Sequence, residues 1–124
     1  MRQLGYERLH KAAEARAVQE MRHAEKLIGR IIFLEGTPNV SRLNQLNIGA
    51  DVETQHKNDR AAEEAAIKAY NAAIRLAVDA GDNGTREQLD SFLEDEEEHI
   101  DWLETQLDQI QQMGIQSYLV EQID

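Results

Sequence analysis

The chain has 124 residues, which suits a single domain with a modest hydrophobic core. Its 13 Lys and Arg stand against 24 Asp and Glu, so its net charge of -11 disfavours binding to nucleic-acid phosphates or anionic lipids and favours cations. There is no cysteine, which excludes disulfides and thiolate metal sites and leaves carboxylate and imidazole as the strong metal ligands.

The composition also predicts an all-α protein. Proline occurs once and aromatic residues make up 5% of the chain, whereas Ala, Glu, Leu and Gln are abundant. These helix-favouring residues leave too few β-branched and aromatic side chains for a sheet. The N-terminal segment lacks the apolar core of a signal peptide, and no apolar run approaches the roughly 20 residues that cross a bilayer. We therefore expect a cytoplasmic protein.

The first two predicted helices are separated by a long connection. The first helix runs from about Gly5 to about Glu35 and ends at the breakers Gly36-Thr37-Pro38. Residues 36–50 are too many for a tight turn, so they are predicted to cross along a helical bundle. The second helix begins near Asp51, a suitable N-cap.

The second half of the chain predicts a helical hairpin and a short final helix. The sequence 79–84, DAGDNG, is the strongest turn signal and ends the second helix. Thr85 and Gln88 fit a capping box that would start a third long helix, running to about Met113 with Gly114 as its C-cap. The last ten residues have apolar positions near helical spacing, which predicts a short fourth helix.

Each long helix carries an apolar stripe that acid or imidazole interrupts. The stripes are Glu20, His23, Leu27, Ile31 and Leu34 on the first helix, Glu63, Ile67, Tyr70, Ile74 and Val78 on the second, and Leu89, Phe92, Glu96, His99, Leu103, Leu107 and Ile110 on the third. Charged groups within a core-facing stripe cost several kcal/mol to bury unless they are paired, as with a bound cation.

Glu and His three residues apart share one helical face and can hold the same ion, as at Glu20 and His23 and at Glu96 and His99. Two such pairs with further glutamates could hold two bridged metals, and these ligands suit iron or manganese. The spacing alone is weak, because His10 and His56 also follow a Glu by three residues. We interpret both as solvated, since His10 lies in line with Glu14 and His56 begins the polar stretch HKNDR. A hydrogen-bonded core histidine is the alternative to a ligand.

Two long segments resemble bacterioferritins. DEEEHIDWLETQLDQIQQMGIQSYL, Asp95–Leu119, resembles that family's last long helix and its connection to the C-terminal helix. QEMRHAEKLIGRIIFLEGTPN, Gln19–Asn39, resembles its second helix and the start of the crossover. The resemblance implies one ferritin-like di-iron domain over residues 1–124, lacking the family's first bundle helix and the glutamate ligand on it. The implied fold is a ferritin-like bundle of three long helices and a short C-terminal one.

The resemblance also implies roles for individual residues. The ferroxidase ligands, which are both the catalytic and the metal-binding residues, would be Glu20, His23, Glu63, Glu96 and His99. Glu20 and Glu96 would bridge the two irons, and Glu63 would be a terminal ligand. Met21 matches the family's haem-ligating methionine and would bind haem b at a subunit interface; the alternative is that Met21 only packs there.

The function that follows is iron storage and detoxification by a ferroxidase. Fe(II) would be oxidised to Fe(III) by dioxygen or hydrogen peroxide at the dinuclear iron site, and ferric mineral would be stored inside a spherical homo-oligomer of roughly two dozen subunits built from two-fold dimers. Two alternatives stay open. One is a non-enzymatic haem-binding or assembly subunit with an incomplete di-iron site, and the other is a di-iron oxidase that acts on a different substrate.

Overall fold

The structure is a computed structural model that describes residues 6–38 and 51–123. These residues form α-helices without any strand: α1 (Glu7–Phe33), α2 (Val52–Asp79), α3 (Asn83–Met113) and α4 (Ile115–Val120). The predicted all-α class, with three long helices and one short one, is confirmed. Most of the predicted crossover lies outside the described residues. The chain groups into two compact units, Met1–Leu46 with Gln116–Asp124 and Asn47–Ile115, which are taken in turn.

Helix α1 ends in a left-handed turn. Glu35 adopts φ 64, and its N–H donates to the carbonyl oxygen of Ile32 at 2.9 Å, while the N–H of Gly36 donates to that of Ile31 at 2.8 Å. This pair of bonds is the Schellman pattern, which satisfies carbonyls at a helix end. A Cβ at Gly36 would lie 3.0 Å from the Ile31 Cγ2 atom, so glycine permits this close return. The helix therefore ends before the predicted Glu35.

The end of the chain is tied to the start of α1 within the same unit. The backbone N–H of Arg8 donates to the carbonyl of Gln122 at 3.1 Å, and the Arg8 guanidinium donates to the carbonyl of Glu121 at 3.1 Å. The Gln122 side-chain amide donates to the carbonyl of Tyr118 at 3.1 Å. Tyr118 itself is completely buried, so the predicted short helix α4 is confirmed and anchored.

Helices α2 and α3 form an antiparallel hairpin in the second unit. Contacts pair His56 with Trp102, Glu63 with His99 and Tyr70 with Phe92. Residue numbers rise along α2 while those of their partners on α3 fall, as in an antiparallel pair. The buried apolar residues of this hairpin are Ala77, Leu89, Phe92, Leu103 and Ile110. The hairpin therefore presents one continuous contact seam.

The connection between α2 and α3 corrects two details of the sequence analysis. Asp82, rather than Thr85, is the N-cap of α3, because its carboxylate accepts hydrogen bonds from both the backbone N–H and the hydroxyl of Thr85. At the end of α2 the buried residue is Ala77, whereas Val78 is 52% exposed. Steps of alternately three and four residues keep the stripe facing α3 and place Ala77, not Val78, on the seam.

Two predicted helix limits are confirmed. Asp51 caps α2 by accepting from the backbone N–H of Thr54 at 2.8 Å, and that bond holds the pKa of its carboxyl below the ordinary value. Gly114 ends α3 with φ 82, a conformation that favours glycine. Within residues 6–38 and 51–123, none of the helices is both long enough and apolar enough to cross a membrane.

Candidate metal centre

Glu63 and His99 face each other across the α2–α3 hairpin. The Glu63 Oε1 atom lies 3.3 Å from the His99 Nδ1 atom, and the two side chains are 12% and 16% exposed. The contact is not aligned as a hydrogen bond, so it does not by itself fix the imidazole ring. A carboxylate oxygen and an imidazole nitrogen are both common metal ligands, and here both lie in a position from which water is largely excluded.

Glu96 lies one helical turn before His99 on the same face of α3. It is 1% exposed and ranks among the largest fully buried side chains, together with Phe92, Leu103 and Tyr118. Burying a carboxylate to this extent is costly in the absence of a cation or a compensating hydrogen bond. A packing role would be filled at lower cost by leucine, so the burial of Glu96 indicates a polar purpose for this position.

The second predicted pair, Glu20 and His23, lies on α1. His23 is 4% exposed, and its Nδ1 atom lies 3.8 Å from the Glu20 Oε1 atom. The Glu20 side chain is 48% exposed and also forms an ion pair with Arg16. The pair therefore combines a buried imidazole with a carboxylate that is open to solvent on one side.

Met21 occupies a different side of α1 from its neighbour His23. Its side chain is 61% exposed, so the thioether lies on the surface of the unit.

His56 corrects the interpretation of that residue as solvated. It is 4% exposed, and its ring meets that of Trp102 edge to face, with centroids 5.6 Å apart and planes at 88°. Burial lowers the pKa of His56 below its ordinary value, with Asp59 opposing the shift and His99 adding to it.

The signal that could have identified His56 is its heptad spacing. His56, Glu63, Tyr70 and Ala77 follow one another at seven-residue intervals on α2, which is the spacing of a helix seam. The residues around His56 are polar, and they led to the interpretation that His56 is solvated. His10, by contrast, is paired with Glu14 through a 2.9 Å contact, in agreement with its predicted alignment.

The ring of Trp102 contacts one histidine from each helix of the hairpin. It stacks on that of His99 at a centroid separation of 6.0 Å and an interplanar angle of 16°, while His56 approaches from α2. Elsewhere in the hairpin, the ring of Tyr70 contacts that of Phe92 with centroids 6.1 Å apart. The hairpin thus brings together Glu63 and His99, buries Glu96 one turn before His99 on α3, and stacks the ring of Trp102 on that of His99.

The sequence matches known proteins over most of its length. Residues 1–113 match the family model Ferritin, described as a ferritin-like domain. The bacterioferritin of Brucella melitensis biotype 1 is 40% identical over 114 residues, which is 92% of this chain and 71% of that protein. The chain belongs to the bacterioferritin family. The bacterioferritin of Rhodobacter capsulatus is 36% identical over 92% of this chain and 71% of that protein. The bacterioferritin of Streptomyces coelicolor is 39% identical over 93% of this chain and 69% of that protein.

Membership in the bacterioferritin family confirms the resemblance that Asp95–Leu119 and Gln19–Asn39 carry, and with it the ferritin-like fold class. The roles of individual side chains remain predictions. Glu96, His99 and Glu63 occupy the α2–α3 hairpin, and Glu20 and His23 occupy α1.

Proposed function

We propose that this bacterioferritin is an iron-storage ferroxidase that oxidises Fe(II) to Fe(III) at a dinuclear site. The observation that carries the proposal is the water-excluded group on the α2–α3 hairpin, where Glu96 is 1% exposed and Glu63 lies 3.3 Å from His99. Family membership supports the broader role in iron storage. We further propose that residues 1–124 act as one ferritin-like domain.

The proposed iron ligands are Glu20, His23, Glu63, Glu96 and His99. Glu20 and Glu96 would bridge the two irons, and Glu63 would be a terminal ligand. The donor set supports this assignment, because carboxylate oxygens and neutral imidazole nitrogens suit iron better than they suit soft metals. Oxidation adds a positive charge to each iron, and carboxylates shielded from water stabilise that added charge more strongly than exposed ones do.

The proposed oxidant is dioxygen or hydrogen peroxide, and the proposed assembly is a homo-oligomeric shell that holds ferric mineral. The chain's excess of acidic residues favours attraction of Fe(II) to such a shell. The proposed second cofactor is haem b, bound by Met21 from each of two subunits. The 61% exposure of Met21 supports this role, because the thioether is available to a partner, and thioether sulfur is a known axial ligand of haem iron.

The test of the ferroxidase is the double variant Glu96→Ala with His99→Ala. We expect bound iron and the rate of Fe(II) oxidation to fall sharply while circular dichroism shows nearly unchanged helix content, because these polar groups are buried for the metal. The matched control removes the exposed carboxylates Glu97 and Glu98, neighbours on the same helix. Oxidation at the wild-type rate in the Glu96 and His99 variant would contradict the proposal.

One observation favours the alternative of a haem-binding or assembly subunit with an incomplete iron site. Glu20 is half exposed and paired with Arg16, so this proposed bridging carboxylate already has a cationic partner. Iron analysis of the assembled protein separates the two functions. The alternative predicts haem without oxidation of Fe(II), whereas the ferroxidase predicts oxidation whether or not haem is bound.

A further inference from the structure

We propose that His56 is a positioning residue for the iron ligand His99 and that it acts through the ring of Trp102. The proposal rests on the proposed function, since it takes His99 to be a ligand. It concerns three rings that lie in sequence within one helical hairpin, from His56 on α2 to Trp102 and His99 on α3. His56 belongs to none of the predicted ligand pairs.

The ring of His99 needs an external constraint. The torsion that turns an imidazole about its bond to Cβ has a broad, shallow energy profile, so the helix backbone does not fix the ring plane. The Glu63 carboxylate lies 3.3 Å from His99 Nδ1 but without the alignment of a hydrogen bond. A metal ligand must nevertheless hold its lone pair in a defined direction before the ion arrives.

Trp102 supplies that constraint. It follows His99 by three residues, so its side chain lies on the same side of α3. The two rings lie at 16° to each other with centroids 6.0 Å apart, within the range of offset stacking. Rotation of the imidazole would break this nearly parallel contact. Displacement of the indole would release it.

His56 in turn fixes the indole. Its ring stands at 88° to that of Trp102 with centroids 5.6 Å apart, which is the preferred edge-to-face arrangement. His56 contacts Trp102 from the opposite helix and is only 4% exposed. The indole therefore cannot move without displacing this buried side chain. The orientation of His99 is therefore set across the hairpin as well as along α3.

The test compares His56→Leu with His56→Phe in the assembled protein. Leucine fills space without an aromatic edge, whereas phenylalanine restores the edge without any nitrogen atom. We expect His56→Leu to weaken Co(II) binding ~10-fold, the lower end of the effect of removing a group that orients a metal ligand. His56→Phe should restore most of that affinity. Co(II) is used because it reports the site through its visible spectrum without being oxidised in air.

The metal-free protein gives a second readout. Trp102 is the only tryptophan of the chain, so all tryptophan emission comes from it. His56→Leu should raise acrylamide quenching of that emission, and His56→Phe should return it toward wild type. Tyr70→Leu is the matched control, because it removes another aromatic contact between the same helices, that with Phe92 at 6.1 Å. It should lower stability but leave Co(II) affinity within twofold of wild type.

Five outcomes decide the matter. Wild-type Co(II) affinity in His56→Leu would overturn the positioning role, as would failure of His56→Phe to restore a weakened affinity. Equal losses in His56→Leu and Tyr70→Leu would reduce His56 to a packing residue. Should His56→Leu not fold, Trp102→Leu replaces it, and wild-type affinity there would also overturn the role. No Co(II) binding by the wild-type protein would instead overturn the proposed iron site itself.

Discussion

The replacement Tyr118→Phe should make the protein less sensitive to alkaline pH. Tyr118 is completely buried on helix α4, next to the turn that ties the chain's end to α1, and burial raises the pKa of its hydroxyl to about 12, with Arg8 partly opposing the shift. The unfolded chain releases this proton near its ordinary pKa of 10.0. Between those two values the unfolded state binds fewer protons than the folded state, so stability falls as pH rises.

The magnitude follows from the separation of the two pKa values. Each pH unit between them is worth about 1.4 kcal/mol, so the phenol of Tyr118 removes about 2–3 kcal/mol of stability as pH rises from about 10 to about 12. Below about pH 9 this contribution is fully present, so the difference in stability between Tyr118→Phe and wild type should not change with pH. At the alkaline end the phenylalanine variant should gain that amount of stability relative to wild type.

Urea denaturation followed by circular dichroism at a series of pH values measures the effect. Loss of charge on lysines affects both proteins equally, so the difference between them isolates Tyr118. Ultraviolet absorbance provides an independent check, because the tyrosinate of Tyr118 should form near pH 12 in wild type and be missing in the variant. Parallel loss of stability in the two proteins across the whole range would refute the reasoning.

Two further predictions concern the surface of α1 and the cap of α3. Met21→His should retain haem with an altered visible spectrum, whereas Met21→Leu, which preserves apolar volume, should lose haem while Fe(II) oxidation continues; an unchanged haem spectrum in Met21→Leu would show that the methionine only packs. Asp82→Ala should lower the free energy of unfolding by about 1 kcal/mol because both hydrogen bonds to Thr85 are lost, and Asp82→Asn should recover most of it. Equal stability of the alanine and asparagine variants in urea would argue against the cap.

The helices could be located from the sequence because their signals are local. Asp51 and Gly114 act on backbone groups within a few residues of themselves. As predicted, Asp51 begins α2 and Gly114 ends α3. The start of α3 differs from the prediction because the Asp82 carboxylate accepts hydrogen bonds from the backbone N–H and the hydroxyl of Thr85, so Thr85 lies inside the helix instead of capping it. The end of α2 helps to place this cap, because the backbone N–H of Asp82 donates to the carbonyl oxygen of Ala77 at 2.8 Å.

The candidate site was only partly visible for a different reason. Glu96 and His99 could be singled out because they interrupt an apolar stripe on a single helix. The approach of Glu63 to His99 and the edge-to-face contact of His56 with Trp102 depend on how α2 registers against α3. A pattern along one helix contains no information about that register, so His56 was assigned to solvent although it is buried.

The sequence by itself determined the helical class, the limits of most helices and the set of donor atoms, because propensity, capping and side-chain chemistry belong to individual residues or their close neighbours. The tertiary structure decided which of these residues are shielded from water and which rings meet. It buried Glu96 and His56, left Glu20 half exposed and set His56 against Trp102. Those outcomes follow from packing between segments distant in the chain, where the desolvation of polar groups must be balanced against the burial of apolar ones.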